Sequence, residues 1–144
     1  MSFRLPTATL LAAFAAVALL AAMHPARANQ SGGIGTWRIL HQLEREALKD
    51  YEHHISNSDV LQRGQILMNL ARSDTFAPTG QSCRRAAEAL SYMVSGYYFS
   101  AQRLEVAFDW HHYRGPYLER RSACLRDLGL DATTYPLPYW FVHR

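Results

Sequence analysis

Cys83, Ala87, Leu90, Val94, Tyr97, Ala101, Leu104, Phe108 and His111 recur at alternating steps of four and three residues. Read alone, this stripe predicts one helix of about 30 residues with a coiled-coil-like seam. The second cysteine, Cys124, limits that reading. From Cys83 to Tyr113 an unbroken helix would extend about 45 Å at 1.5 Å per residue. The 11 residues from Tyr113 to Cys124 reach back at most about 38 Å when fully extended, and less if they are helical. A Cys83–Cys124 disulfide therefore requires the helix to break. The expected place is Ser95–Ser100 (SGYYFS), where Gly96 and three consecutive aromatics weaken helix propensity. Residues 83–94 and 104–113 then become separate helices.

A disulfide needs an oxidising compartment, and the N-terminus supplies the address. Met1 and Arg4 open the chain, Leu10–Ala22 is an apolar run of 13 residues, and Ala26-Arg27-Ala28 has the small-x-small pattern of a cleavage site. The run is shorter than the roughly 20 residues needed to span a bilayer. Residues 1–28 thus read as a secretory signal peptide, cleaved near Ala28-Asn29, and the mature chain as a periplasmic or secreted protein without stable membrane insertion. Two cysteines in such a chain pair most simply as a structural bridge. Closing 41 residues of chain would contribute about 4 kcal/mol in the chain-entropy view. Neither cysteine belongs to a C-x-x-C pair, which excludes a thioredoxin-like motif and c-type haem attachment.

Cleavage leaves 116 residues, the length of one domain. It also removes Arg4 and Arg27 from the 15 basic residues. The 13 that remain face 12 acidic ones, so the mature net charge is +1. Near-neutrality argues against a nucleic-acid binder, which depends on neutralising phosphates.

Periodicity fills in the remaining elements. After a flexible lead-in at 29–35, Thr36 is expected to cap a helix running to about Ile55. Its inward stripe is Leu40, Leu43, Ala47, Tyr51 and His54, widened by Trp37, Leu48 and Ile55. Asn57 or Ser58 caps a second helix that buries Val60, Gly64, Leu67, Met68 and Ala71. Residues 73–80 form a loop with Phe76 tucked inward. Gly115-Pro116 starts a last helix whose Tyr117, Cys124, Leu125 and Leu128 face the core, and Gly129 terminates it. The tail, 133–144, is expected to be extended, its prolines 136 and 138 opposing helix. These elements describe an all-α fold: a compact bundle of four to five helices with one disulfide and an extended aromatic C-terminal tail.

Three constellations bear on function. His54, His111 and His112 lie in two histidine doublets beside carboxylates, and His54 and His111 fall on inward stripes. Facing rings of this kind can ligate Zn or Cu, with Asp50 as an outer carboxylate. Neighbours in a doublet point about 100° apart on a helix, so each doublet offers one ligand to a given site. Glu44 falls inside the apolar sector of the first helix. There it is either a general acid or base with a displaced pKa, or half of an ion pair with an arginine such as Arg38 or Arg103. The tail contributes Tyr135, Tyr139, Trp140 and Phe141, aromatic anchors of the kind that concentrate binding energy, with Arg120 and Arg121 at their rim or on solvated faces. Alternatively, the tail wraps over the bundle and completes its core.

No G-x-S-x-G elbow and no pair of placed carboxylates is present, so no catalytic residue is assigned. The expectation is a non-catalytic exported protein that binds another envelope or secreted protein, of inhibitor, immunity, chaperone or accessory-subunit type. A periplasmic metal-binding protein using the histidines and a small helical hydrolase using Glu44 are the alternatives.

Overall fold

A computed structural model describes residues 33–73, 76, 81–103 and 107–143. The signal-peptide reading and residues 29–32 of the lead-in lie outside the described residues. Four main helices and a short fifth make up the fold: α1 over residues 33–52, α2 Ser58–Arg72, α3 Gln81–Gln102, α4 Trp110–Asp127 and α5 Tyr139–His143. A 3-10 turn, Ala132–Thr134, lies between α4 and α5. No helix among the described residues is long and apolar enough to cross a membrane.

Helix α1 starts earlier than expected. Residues 33–35 are helical, and Thr36 is buried within the helix instead of capping it. It also ends earlier. His54 takes a left-handed conformation (φ 56°). The His54 amide donates to the Tyr51 carbonyl at 3.2 Å and the Ile55 amide to the Asp50 carbonyl at 2.8 Å. These two bonds make a Schellman terminus with histidine at the position glycine usually holds. The turn carries His54 off the inward stripe and leaves it exposed, as is Ile55. That corrects the expectation of a buried His54.

Helix α2 begins where Asn57 accepts the Asp59 and Val60 amides, and it buries Val60, Gly64, Leu67 and Ala71. Phe76 is tucked in, 3 % exposed. Helices α2 and α3 approach closely at Gly64, where a Cβ would stand 2.7 Å from Ser95 Oγ and displace that hydroxyl. The Ser91 hydroxyl donates to the Gly64 carbonyl at 2.8 Å across the same contact.

The expected break in α3 at 95–100 is absent. The helix runs through SGYYFS to Gln102, and the Arg103 amide still donates to the Phe99 and Ser100 carbonyls at 3.2 Å. Packing outweighs propensity here. Gly96 costs about 1 kcal/mol against alanine in a helix, but a Cβ at that position would crowd Tyr113 at 3.0 Å and Phe108 at 3.3 Å. Tyr97, next to it, packs edge-on to Tyr51 and Phe108, with centroids 5.1 and 5.8 Å apart. The glycine is a notch for aromatic rings.

Helix α4 likewise starts at Trp110, six residues before Pro116, and no separate helix ends at Tyr113. Asp109 caps it by accepting the His112 amide at 3.2 Å. Pro116, without an N–H to offer the His112 carbonyl, is held inside the helix. The chain reverses between the end of α3 at Gln102 and the start of α4 at Trp110, and the geometric requirement is still met. α4 returns alongside α3, and Cys83 bonds Cys124 with Cα atoms 4.4 Å apart. Gly129, at φ 65°, ends the helix as expected, with the Leu130 amide bonded to the Leu125 carbonyl at 2.9 Å.

The tail packs on the bundle. Tyr135 to Pro138 is irregular, and α5 follows the second proline; the Phe141 amide donates to the Pro138 carbonyl at 3.0 Å. The prolines stand before the helix and do not oppose it, so the extended stretch is shorter than expected. Phe141 is fully buried against Trp110 and Tyr117. Trp140 stacks beside Tyr51 and Trp110 at 5.6 and 6.0 Å. With Tyr51 stacked on Trp110 at 4.1 Å, these rings form an aromatic layer joining α1, α4 and α5.

Candidate functional site

Glu44 lies on the inward face of α1, with Leu40 and Leu48 one turn to either side, and it has no solvent exposure. An unpaired carboxylate in that position would be very costly. The partners come from α4. Arg121 Nε donates to Glu44 Oε1 at 2.5 Å and Nη2 to Oε2 at 3.1 Å. The Tyr117 hydroxyl, one turn earlier, donates to Oε1. From α1 itself, His41 Nδ1 meets Oε2 at 2.7 Å. Both carboxylate oxygens are therefore engaged twice.

The same guanidinium reaches the tail. Arg121 Nη2 donates to the Tyr135 carbonyl at 2.6 Å, and its Cζ lies over the Trp37 ring, 5.3 Å from the centroid. Tyr135 in turn sets its ring edge-on to Trp37 and His41, at 5.5 and 5.1 Å. Arg121 is thus a buried bracket between α1, α4 and the C-terminal segment, where a solvated or rim position was expected. Arg38 and Arg103, the partners anticipated for Glu44, do not reach it.

Electrostatics follow from this enclosure. Burial alone would push the Glu44 carboxyl up. The bonds from His41 and Arg121, the Arg121 charge and the Tyr117 hydroxyl outweigh it and hold the carboxyl below the usual glutamate range. Burial, and next the Glu44 charge, drive the Tyr117 phenol well above its ordinary value. Burial works against the Arg121 charge, but the Glu44 bond and charge raise its pKa on balance. Glu44 is ionised and saturated with donors.

The other anticipated residues separate into two groups. Tyr139 is 77 % exposed and Val142, three residues on, is 40 % exposed. Tyr139 stacks on His143 with centroids 4.1 Å apart. Tyr135, Trp140 and Arg120 are half-buried, and Phe141 and Arg121 belong to the core. His54, His111 and His112 are all exposed. Among the described residues no group of three or more His, Cys, Asp or Glu side chains is placed to hold a metal ion.

Two open grooves border the buried bracket. One, of about 490 Å³, runs between α1 and the prolyl segment, with Leu48, Lys49 and Glu52 on one side and Pro136, Leu137 and Pro138 on the other. The second, of about 530 Å³, follows the outer face of α1. Sequence reasoning missed His41 altogether. Its signal was the i, i+3 spacing to Glu44, which places the two side chains within reach on one helix face.

No family model, curated protein or solved structure matches the chain.

Proposed function

We propose that this protein is exported and acts in the bacterial envelope as a non-catalytic binding protein, with the α5 face as its contact surface for another envelope or secreted protein. The observation that carries the reading is Tyr139. It is a large aromatic at 77 % exposure, standing on a helical turn whose Phe141 is fully buried. A side chain presented this way loses little conformational freedom on binding, because the backbone beneath it is already fixed. Tyr139, Val142 and His143 form the proposed contact surface; Trp140 and Phe141 hold it in place. Glu44 and Arg121 are positioning residues for the segment that leads into it.

The role of Glu44 supports this reading over a hydrolase. A carboxylate engaged at both oxygens by Arg121, Tyr117 and His41 has no lone pair directed at a substrate.

The test is gentle purification from the cell of origin, comparing wild type with Tyr139→Ala and identifying co-eluting protein by mass spectrometry. A stoichiometric partner lost in the variant, with melting temperature unchanged, is the expected result. Recovery of the same partner by both proteins, or of none by either, overturns the reading.

A further inference from the structure

The outer face of α1 carries a second cluster that the α5 surface does not use. His41 is fixed on three sides: its ring stacks on Trp37 at 5.8 Å with an interplanar angle of 13°, meets the edge of Tyr135, and bonds the buried Glu44 through Nδ1. A carboxylate at Nδ1 keeps a proton on that nitrogen, so Nε2 is the ring nitrogen left for an outside partner. Nε2 has no protein partner among the described residues, and the ring lines the groove along α1.

Arg38 and Arg45 line the same groove. They stand three residues before and four after His41, the two spacings that make side chains neighbours on a helix. Lys49 continues the row one turn further. None of these three cations has an ion pair or hydrogen bond among the described residues. The groove's carboxylate, Glu46, is occupied elsewhere, by Arg63 Nε at 3.2 Å and the Gln42 amide at 3.1 Å.

We propose that Arg38, His41 and Arg45 form a binding site for a phosphate monoester group. Two guanidinium forks and one imidazole nitrogen match a tetrahedral phosphate better than a carboxylate. A phosphate monoester offers three oxygens, enough for both forks, and in its monoanion an O–H that can donate to Nε2, whereas a carboxylate fills a single fork. The Nδ1 bond to Glu44 holds the imidazole in one orientation, and the arginines supply the charge. The ester's source is either a soluble phosphate compound or a phospholipid headgroup.

The experiment follows the His41 ring signals by NMR in the folded, disulfide-bonded chain while inorganic phosphate is added at constant ionic strength. Saturable movement of the His41 signals is expected. It should weaken at least tenfold in Arg38→Gln/Arg45→Gln, whose exposed side chains leave the melting temperature unaltered. Sedimentation with phosphatidylcholine vesicles containing phosphatidic acid separates the two sources. Binding to those vesicles that depends on both arginines assigns the site to a headgroup; a response to glycerol 3-phosphate without vesicle binding assigns it to a soluble ester. Unmoved His41 signals together with no vesicle binding, an equal response to chloride, or undiminished binding in the double variant overturns the proposal.

Discussion

Glu44 and Arg121, 77 residues apart in the sequence, form a two-pronged ion pair inside the bundle, and the same guanidinium holds the Tyr135 carbonyl. The pair links the first helix to the fourth and both to the C-terminal segment. Removing one partner of a buried pair leaves a charge in the core and costs about 3–5 kcal/mol, whereas removing both is far less damaging. Glu44→Gln and Arg121→Met should each lower stability to denaturant on that scale. The double variant should lose clearly less than the two effects added. Simple additivity in urea melts would show that the two groups do not act as a pair.

The pH dependence of stability follows from the same site. The folded Glu44 carboxyl is held below its unfolded value. Its contribution is therefore complete above the unfolded glutamate pKa of about 4.3 and lost as pH falls through the folded value. Tyr117 is displaced the other way, well above its ordinary value. Its contribution is complete below about pH 10, the unfolded phenol pKa, and lost as pH rises beyond it. Melting temperature should thus decline on both sides of a broad plateau. Glu44→Gln should flatten the acid limb, and Tyr117→Phe the alkaline one. Unchanged limbs in both variants would mean that other groups set the profile.

His54 occupies a left-handed helix terminus that favours glycine. Its ring is exposed, so His54→Gly removes backbone strain without opening a cavity. Relief of the left-handed conformation, about 1–2 kcal/mol, exceeds the cost of glycine's extra freedom in the unfolded chain, about 0.4–1 kcal/mol, so the variant should be modestly more stable, read as a rise in melting temperature. A drop would mean that the imidazole makes a contribution which the strain argument omits.

Gly64 and Gly115 contrast a crowded position with an open one. Alanine at 64 would place its Cβ 2.7 Å from Ser95 Oγ, at the contact between α2 and α3. Gly64→Ala forces the Ser95 hydroxyl to another rotamer and should destabilise by about 1 kcal/mol. At 115, inside α4, no atom beyond the chain neighbours and the helix's own backbone stands within 4 Å, but Pro116 follows, and its ring crowds a Cβ on the residue before it. Gly115→Ala trades that crowding against about 1 kcal/mol of helix propensity and should be near neutral. Thermal melts of the two variants decide this, and destabilisation at both positions would contradict the assigned helix packing.

Much of the helical order was legible because the chain writes it in stripes. Val60, Gly64, Leu67 and Ala71 mark the buried side of α2, and Gly129 marks the end of α4. The disulfide, expected from two cysteines in an exported chain, required the chain to double back, and α4 does return alongside α3. The turn itself was misplaced because local propensity at Gly96–Phe99 competes with long-range contacts to Tyr51, Phe108 and Tyr113 that only the fold brings together. For the same reason Pro116 reads as a helix start, although Asp109 caps the helix a turn and a half earlier. At the buried site, Glu44 stood out as a carboxylate among apolar residues. Its true partner did not: Arg121 belongs to an Arg-Arg pair, and no local pattern separates the buried member from its neighbour. His54 shows the limit of periodicity, since a single left-handed residue ends the stripe and turns the ring to solvent.

A photo-crosslinking amino acid at position 139, in the protein expressed in its cell of origin, with the same group at the exposed Gln65 as a control, reads the proposed contact face itself. One discrete protein adduct at 139, near stoichiometric and absent at 65, is expected. Equal diffuse labelling at both positions, or no adduct at 139, would contradict the assignment of this face as the contact surface.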